Sequence, residues 1–156
     1  MNSLSLATKA NHLPDKAGSD ARPIRAVVVD DSPSVLKMLS LMLEAQGDVQ
    51  LVGTATDGHH AVRRVAELAP DLVLMDLQLP GINGLEATRR IKARAQAPAV
   101  IMVTADDTPE SRAAARAAGT DGFICKRHLH PELRRAIAKA LSDRAVGSLQ
   151  EAGAVG

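Results

Sequence analysis

The sequence predicts an α/β domain built on a doubly wound, five-stranded parallel sheet with helices on both faces. Five short apolar runs alternate along the chain with five segments of helical character, and this alternation is typical of parallel strands joined by crossover helices. The runs are continuously apolar instead of alternating between apolar and polar residues, as expected for strands that are covered on both faces. No longer sequence repeat is superimposed on this pattern.

The strands are predicted where aliphatic and β-branched residues cluster between turn-forming residues. Pro80-Gly81 and Asn83-Gly84, for example, form a loop after the third apolar run. The five predicted strands span residues 24–29, 49–52, 72–75, 99–103 and 121–125.

The helices are predicted from capping residues and from apolar residues at helical spacing. Ser32 can cap the first helix, Pro33 suits its first turn, and Gly47 ends it. The other helices follow in order: one that opens at Asp57, one over 85–94, one from Thr108 to Gly119, and one over 131–141.

The two ends of the chain lack this periodicity. Residues 1–22 are polar, with scattered Pro, Gly and Ser, and residues 143–156 are rich in Gly, Ala and Ser. Such composition is typical of flexible segments. We therefore predict a flexible N-terminal tail over 1–22, one folded domain over 23–142 and a flexible C-terminal tail over 143–156.

The composition disfavours several classes of function. Lys and Arg number 19 against 18 Asp and Glu, so the net charge of +1 indicates no polyanionic partner. With one Phe and no Tyr or Trp, the chain lacks the aromatic side chains on which single-stranded nucleic acids stack. No apolar stretch approaches the roughly 20 residues of a membrane helix, and no secretory signal is evident. We expect a cytoplasmic protein that binds neither nucleic acid nor membrane, with Cys125 as an inert core residue.

Polar residues follow four of the predicted strands. Asp30, Asp76, Thr104 and Lys126 each stand directly after an apolar run, and Asp31 follows Asp30. Ligands of open parallel sheets bind at the carboxyl ends of the strands. We therefore expect these five side chains to converge in one crevice.

The residue types of this set indicate a particular chemistry. Three carboxylates in one crevice would repel one another unless a hard cation such as Mg²⁺ lay between them. Lys126 adds a positive charge and Thr104 a hydroxyl donor, which together with the cation can stabilise the oxygens of a phosphoryl group in transfer. The set predicts Mg²⁺-dependent phosphoryl transfer onto an Asp, with an aspartyl phosphate as product.

Four segments resemble the signature segments of response regulator receiver domains of two-component signalling. They are Val28-Val29-Asp30-Asp31-Ser32, the run from Asp71 through Asp76 to Leu79-Pro80-Gly81, Val103-Thr104-Ala105 and Phe123-Ile124-Cys125-Lys126. The match is colinear from about residue 24 to residue 141. It implies the flavodoxin-like strand order 2-1-3-4-5 of chemotaxis regulators.

The resemblance also assigns roles to the strand-end carboxylates. Asp76 is implied as the phosphoacceptor. Asp31, Asp76 and the backbone carbonyl of Gln78 are implied as direct Mg²⁺ ligands, with Asp30 acting largely through water.

The remaining roles concern switching and partners. Lys126 is implied to pair with Asp76 or with the phosphoryl oxygens, Thr104 to move toward the phosphoryl group, and Phe123 to follow Thr104. The phosphodonor is implied to be a sensor histidine kinase or a phosphotransfer protein, and phosphorylation-dependent homodimerisation stays open. Arg127 stands where many receivers have Pro, so we expect a trans bond there and a different loop before the last helix.

Several functions remain as alternatives. The first is a single-domain response regulator that signals through an unidentified downstream protein and is no enzyme beyond its own phosphorylation and dephosphorylation. The second is the receiver of a DNA-binding regulator, because segments 52–55 and 84–91 look most like receivers of LuxR-type proteins; the residues after 141 are too few for that DNA-binding domain. A flavodoxin-like enzyme would need a phosphate-binding glycine motif that no strand precedes. A receiver-like fold that is never phosphorylated is disfavoured by the complete set of site residues.

Overall fold

The structure is a computed structural model that describes residues 21–153, with side chains described as far as residue 147. Its five strands form one parallel sheet in the order β2-β1-β3-β4-β5. The strands are β1 (Ile24–Val29), β2 (Val49–Ala55), β3 (Leu72–Met75), β4 (Ala99–Thr104) and β5 (Gly122–Cys125). The predicted parallel sheet and its flavodoxin-like order are confirmed.

Five α-helices connect and cover the strands. They are α1 (Pro33–Glu44), α2 (Gly58–Leu68), α3 (Gly84–Lys92), α4 (Pro109–Ala118) and α5 (Leu129–Gly153). Side-chain oxygens cap the first four at their N-termini, because each accepts a hydrogen bond from a backbone amide three residues further on. The capping residues are Ser32, Asp57, Asn83 and Thr108.

Two apolar clusters lie on opposite faces of the sheet. On one face, Leu39 of α1 and Leu133 of α5 pack against strand residues such as Leu74. On the other face, α2, α3 and α4 cover a cluster that includes Val73 and Ile91. Residues within a strand alternate between the two clusters, so both faces are buried, which explains the continuously apolar strand sequences. Cys125 is fully buried in β5, as predicted.

Helix α5 continues beyond its predicted end at residue 141 and reaches Gly153. The predicted boundary of the helix was therefore wrong. Six of the eleven residues over 143–153 are Ala, Arg, Leu, Gln or Glu, which are strong helix formers, and the helix continues through the interspersed Asp, Val, Gly and Ser. Arg144 also approaches Asp71 at the start of β3, with 4.0 Å between Nη1 and Oδ1. The flexibility of residues 143–156 stays a prediction.

The segments next to the domain boundaries differ in how far they are described. The predicted N-terminal tail lies outside the described residues up to residue 20, and Arg22 near its end donates two hydrogen bonds to Asp71, of 3.1 and 2.9 Å.

After β5, a 3-10 turn over Lys126–His128 leads into α5. Residues 21–153 contain no cis peptide bond, in agreement with the trans bond expected before Arg127. None of the helices in this range combines the length and apolarity that crossing a membrane requires.

Candidate functional site

The site lies at the carboxyl ends of β1, β3 and β5. Two backbone hydrogen bonds extend the sheet one residue past its strands: the amide of Asp30 donates to the carbonyl of Ala55 at 3.1 Å, and that of Asp76 donates to the carbonyl of Val29 at 3.0 Å. Both aspartates are therefore held by the sheet itself. Since sheet backbone is rigid, the sheet sets the points from which the two side chains extend into the site.

Three carboxylates form the centre of the site. One oxygen each of Asp30, Asp31 and Asp76 lies within 4.8 Å of the others. Asp30 and Asp76 are 1% and 6% exposed, whereas Asp31 is exposed to solvent. The amide of Ser32 donates to Oδ1 of Asp30 at 2.9 Å, so the turn into α1 orients the deepest carboxylate.

Lys126 brings one positive charge to these carboxylates. Its Nζ lies 2.8 Å from Oδ2 of Asp30 and 3.3 Å from Oδ2 of Asp76. Burial opposes the charged form of Lys126, but the hydrogen bond to Asp30 and the charges of both aspartates outweigh burial and raise its pKa. Lys126 therefore stays protonated and holds the two buried carboxylates together.

The pKa of Asp76 is raised to about 6. Burial is the largest cause, and the negative charge of Asp30 adds to it. Lys126 and the backbone amide of Gln78 act in the opposite direction without cancelling the increase. Burial and the charge of Asp30 thus outweigh the positive charge of Lys126, although Asp76 remains mostly ionised above neutral pH.

The donor set fits a hard divalent cation. All the ligands available from the three aspartates are oxygen atoms, which Mg²⁺ prefers, and negative charge exceeds the single ammonium charge of Lys126. The fully buried Oδ2 of Asp30 forms an ion pair with Lys126. Among the described residues, it accepts no hydrogen bond of regular geometry. Asp31 and Gln78 line one open depression beside the cluster, so a bound cation and its waters would be reachable from solvent.

Thr104 stands on β4, the neighbour of β3, and Phe123 stands on β5, the edge strand beyond β4. Thr104 ends β4, which lies between the strand preceding Asp76 and the strand preceding Lys126. Its side chain is buried, and its Oγ1 accepts a hydrogen bond of 3.2 Å from the amide of Asp106. Phe123 is half-buried in β5 and packs against the cluster beneath α2, α3 and α4. The five residues expected at the strand ends therefore occupy one edge of the sheet, with Phe123 beneath it.

Sequence reasoning missed the structural part that Gly84 plays in the site. A Cβ atom at this position would lie 2.0 Å from the backbone oxygen of Asp76, and the amide of Gly84 donates to the carbonyl of Leu77 at 2.8 Å. Only glycine lets α3 approach the backbone of Asp76 this closely. The Asn83-Gly84 pair indicated a turn, but nothing in the sequence showed which backbone the glycine would meet.

Arg112 of α4 was also missed. Its guanidinium carbon lies 4.6 Å from the centre of the Phe123 ring, and its Nε donates to Oδ1 of Asp107. The sequence of α4 consists mostly of Ala and Arg, so no periodicity distinguishes Arg112 from Arg116.

The acidic cluster and Lys126 lie together at the carboxyl edge of a sheet with the strand order 2-1-3-4-5. The family model for the response regulator receiver domain matches residues 26–138. The chain therefore belongs to the response regulator receiver domain family and is a receiver domain of two-component signalling. Receiver domains of this family bind Mg²⁺ at the acidic pocket and interact with histidine kinases and phosphotransfer proteins.

Solved structures agree with this assignment. The response regulator domain of CheB from Thermotoga maritima is 34% identical, with a TM-score of 0.72, over 78% of this chain and 98% of that one. A two-component response regulator of the LuxR family from Aurantimonas sp. SI85-9A1 is 33% identical, with a TM-score of 0.74, over 78% of this chain and 86% of that one.

The curated relatives are longer proteins. A protein-glutamate methylesterase/protein-glutamine glutaminase from Koribacter versatilis is 40% identical over 67% of this chain, but the match covers 29% of that protein. The transcriptional regulatory protein LiaR of Bacillus subtilis is 42% identical over 52% of this chain and 38% of its own length. The chain thus spans well under half the length of these relatives.

Proposed function

We propose that Asp76 accepts a phosphoryl group, in the cytoplasm, from a phosphohistidine of a sensor histidine kinase or a phosphotransfer protein. The chain then signals as a response regulator through contact with a downstream protein or a second copy of itself, and it is not an enzyme beyond its own phosphorylation and dephosphorylation. The observation that carries this proposal is the position of Lys126, whose ammonium lies between Asp30 and Asp76 at the open edge of the sheet.

The proposed transfer is a nucleophilic displacement at phosphorus. An ionised oxygen of Asp76 forms the new P–O bond while the P–N bond of the phosphohistidine breaks, and the imidazole nitrogen keeps the electron pair and takes up a proton. A pKa of about 6 leaves Asp76 mostly ionised at pH 7.5. Its carboxylate is also poorly compensated, so it is predisposed to share its charge with an electrophile.

Charged and polar neighbours stabilise the transferred group in this proposal. Lys126, already 3.3 Å from Oδ2 of Asp76, attracts the phosphoryl oxygens, and the hydroxyl of Thr104 donates a hydrogen bond to one of them. Phe123 follows the movement of Thr104.

The same carboxylates account for the proposed requirement for Mg²⁺. Asp30, Asp31, Asp76 and the backbone carbonyl of Gln78 would hold the ion, with Asp30 acting largely through water. When bound, Mg²⁺ supplies positive charge that offsets the negative charge of the phosphoryl oxygens.

Labelling by a small phosphodonor tests the proposal. Incubation with acetyl phosphate and Mg²⁺ is expected to add one phosphoryl group per chain in intact-mass spectra, and removal of Mg²⁺ with a chelator is expected to prevent it. Asp76→Asn is expected to abolish labelling, whereas Asp48→Asn, which alters an exposed carboxylate directly before β2 at the opposite edge of the sheet, is the matched control that retains it. Full labelling of Asp76→Asn would refute the proposed acceptor.

A second candidate concerns the output. The relatives include a LiaR transcriptional regulator and methylesterases of which the matched region is a minor part. Their similarity favours the alternative that this receiver controls a DNA-binding or catalytic domain of the same polypeptide. The mass of the native protein, detected in its source cells with an antibody against the receiver, separates the two: a mass near 16.4 kDa favours the stand-alone receiver, and a much larger mass favours a linked output domain.

A further inference from the structure

A single arginine connects the aromatic residue of β5 with the loop that follows Thr104. The guanidinium carbon of Arg112 lies 4.6 Å from the centre of the Phe123 ring. A cation over an aromatic face is attracted by the ring's negative charge density. Because Arg112 belongs to α4 and Phe123 to β5, this contact holds the ring against the helix beside it.

The same guanidinium is tied to the β4–α4 loop. Its Nε donates to Oδ1 of Asp107, which stands three residues after Thr104. The hydrogen bond from Arg112 holds the pKa of Asp107 below its usual value. Arg112 thus contacts two groups on different elements, a ring on β5 and a carboxylate in the loop.

The rest of the loop is held by neighbouring contacts. Ser111 Oγ donates to Oδ2 of Asp106 at 2.6 Å, and the amide of Asp106 donates to Oγ1 of Thr104 at 3.2 Å. A movement of Thr104 toward Asp76 would therefore pull on Asp106 and strain the contacts that the loop makes with the first turns of α4.

We propose that Arg112, held by Asp107 and stacked on Phe123, is a latch that stabilises the unphosphorylated conformation of the domain. The latch rests on the proposed phosphorylation of Asp76 and specifies how this chain sets the balance between its two states. If the Phe123 ring moves, it loses its contact with the Arg112 guanidinium. If the β4–α4 loop moves, Asp107 loses its hydrogen bond with the same guanidinium. Arg112 therefore couples the two movements. A ligand that favours the other conformation must work against these contacts.

The size of the effect follows from the exposure of the latch. The side chain of Arg112 is 44% exposed, and cation–π contacts at exposed sites shift an equilibrium by about 2- to 5-fold. Removal of Arg112 should therefore raise the apparent affinity for a phosphoryl analogue by about 2- to 5-fold when the resting state predominates. The effect belongs to the conformational equilibrium, so it should appear without any change at Asp76 itself.

The chain offers an unusually clean probe for this experiment. Phe123 is its only aromatic residue besides histidine, so ¹³C-labelled phenylalanine reports one ring without ambiguity. We would titrate beryllium fluoride in the presence of Mg²⁺ into the full chain and follow that ring together with the amide of Thr104. The variants are Arg112→Ala, Arg112→Lys and, as the matched control on the same helix, the exposed Arg116→Ala.

The latch predicts that Arg112→Ala lowers the apparent Kd for beryllium fluoride by about 2- to 5-fold and shifts the resting Thr104 amide toward its bound position. Arg112→Lys keeps a positive charge but lacks the planar guanidinium, so its apparent Kd should lie between those of wild type and Arg112→Ala. Arg116→Ala should match wild type. Asp107→Asn should act in the same direction as Arg112→Ala, and the double variant should show less than the sum of the two effects.

Two failures are distinguishable. Tight binding of beryllium fluoride to the wild type with an equal or higher Kd in Arg112→Ala would overturn the latch and leave the proposed function in place. No binding to any variant, wild type included, would overturn the proposed function and the latch with it.

Discussion

The raised pKa of Asp76 means that its ionised carboxylate destabilises the metal-free folded domain at neutral pH. Its pKa of about 6 in the folded protein compares with 3.8 for an unperturbed Asp. Because the folded-state pKa lies above the unfolded one, the folded protein binds the proton more tightly. The stabilising proton is fully present below about pH 3.8 and is lost as the pH rises through 6.

The neutral replacement Asp76→Asn removes this cost. A difference of roughly two pKa units corresponds to about 3 kcal/mol at pH 7.5, decreasing to about 1 kcal/mol near pH 4.5, where the folded carboxyl is already protonated. In Mg²⁺-free buffer, Asp76→Asn should therefore be more stable than wild type by up to about 3 kcal/mol at pH 7.5. This gain is roughly 10 °C in Tm for a domain of this size.

Urea unfolding followed by far-ultraviolet circular dichroism measures the difference, since the chain has no Trp or Tyr to report by fluorescence. Addition of Mg²⁺ should stabilise wild type by about 1.4 kcal/mol for each tenfold excess over its Kd, and Asp76→Asn much less. Asp107→Asn is the control, because the pKa of Asp107 is shifted in the opposite direction: Arg112 lowers it. This substitution should therefore not stabilise the protein. Equal or lower stability of Asp76→Asn at pH 7.5 without Mg²⁺, or a gain that persists undiminished at pH 4.5, would refute the electrostatic reasoning.

Two further predictions concern the same site. Lys126→Met removes the ammonium that pairs with the buried carboxylates, so it should destabilise the Mg²⁺-free protein by roughly 2–4 kcal/mol at pH 7.5; an unchanged urea midpoint would show that the ion pairs contribute nothing. Gly84→Ala places a Cβ atom 2.0 Å from the backbone oxygen of Asp76 and should destabilise by about 2 kcal/mol or more. Gly147→Ala, whose Cβ atom would meet nothing within 4 Å, should instead be neutral or stabilise α5 by up to about 1 kcal/mol. Thermal unfolding that ranks the two Ala variants the other way would contradict the packing account.

The sheet was predictable because strands that are buried on both faces are continuous apolar runs in the sequence. The run before Asp76 is four residues long and entirely buried, and its neighbours follow the same pattern. The end of β2 was less visible, because Gly53 and Thr54 interrupt the apolar run although they still pair with β1. The pattern of apolar residues indicates only which positions are buried. Where an edge strand continues through small or polar residues, this pattern does not show that the strand continues.

The candidate site was predictable for a related reason. A polar residue directly after a buried strand lies at the carboxyl edge of the sheet. In a parallel sheet, the carboxyl ends of neighbouring strands lie side by side, so these residues are brought together. Asp30, Asp76 and Lys126 lie in contact there. Contacts that depend on side-chain reach, such as Arg112 over Phe123, depend on distances that only the folded chain sets.

The central claim is that Asp76 carries the phosphoryl group, and reductive trapping tests it most directly. The chain is phosphorylated with acetyl phosphate and Mg²⁺ and treated with borohydride, which reduces an acyl phosphate and converts the acceptor Asp into homoserine that peptide mass spectrometry locates. We predict homoserine at position 76, dependent on both Mg²⁺ and the phosphodonor. Homoserine at Asp30 or Asp31 with none at position 76 would contradict the account.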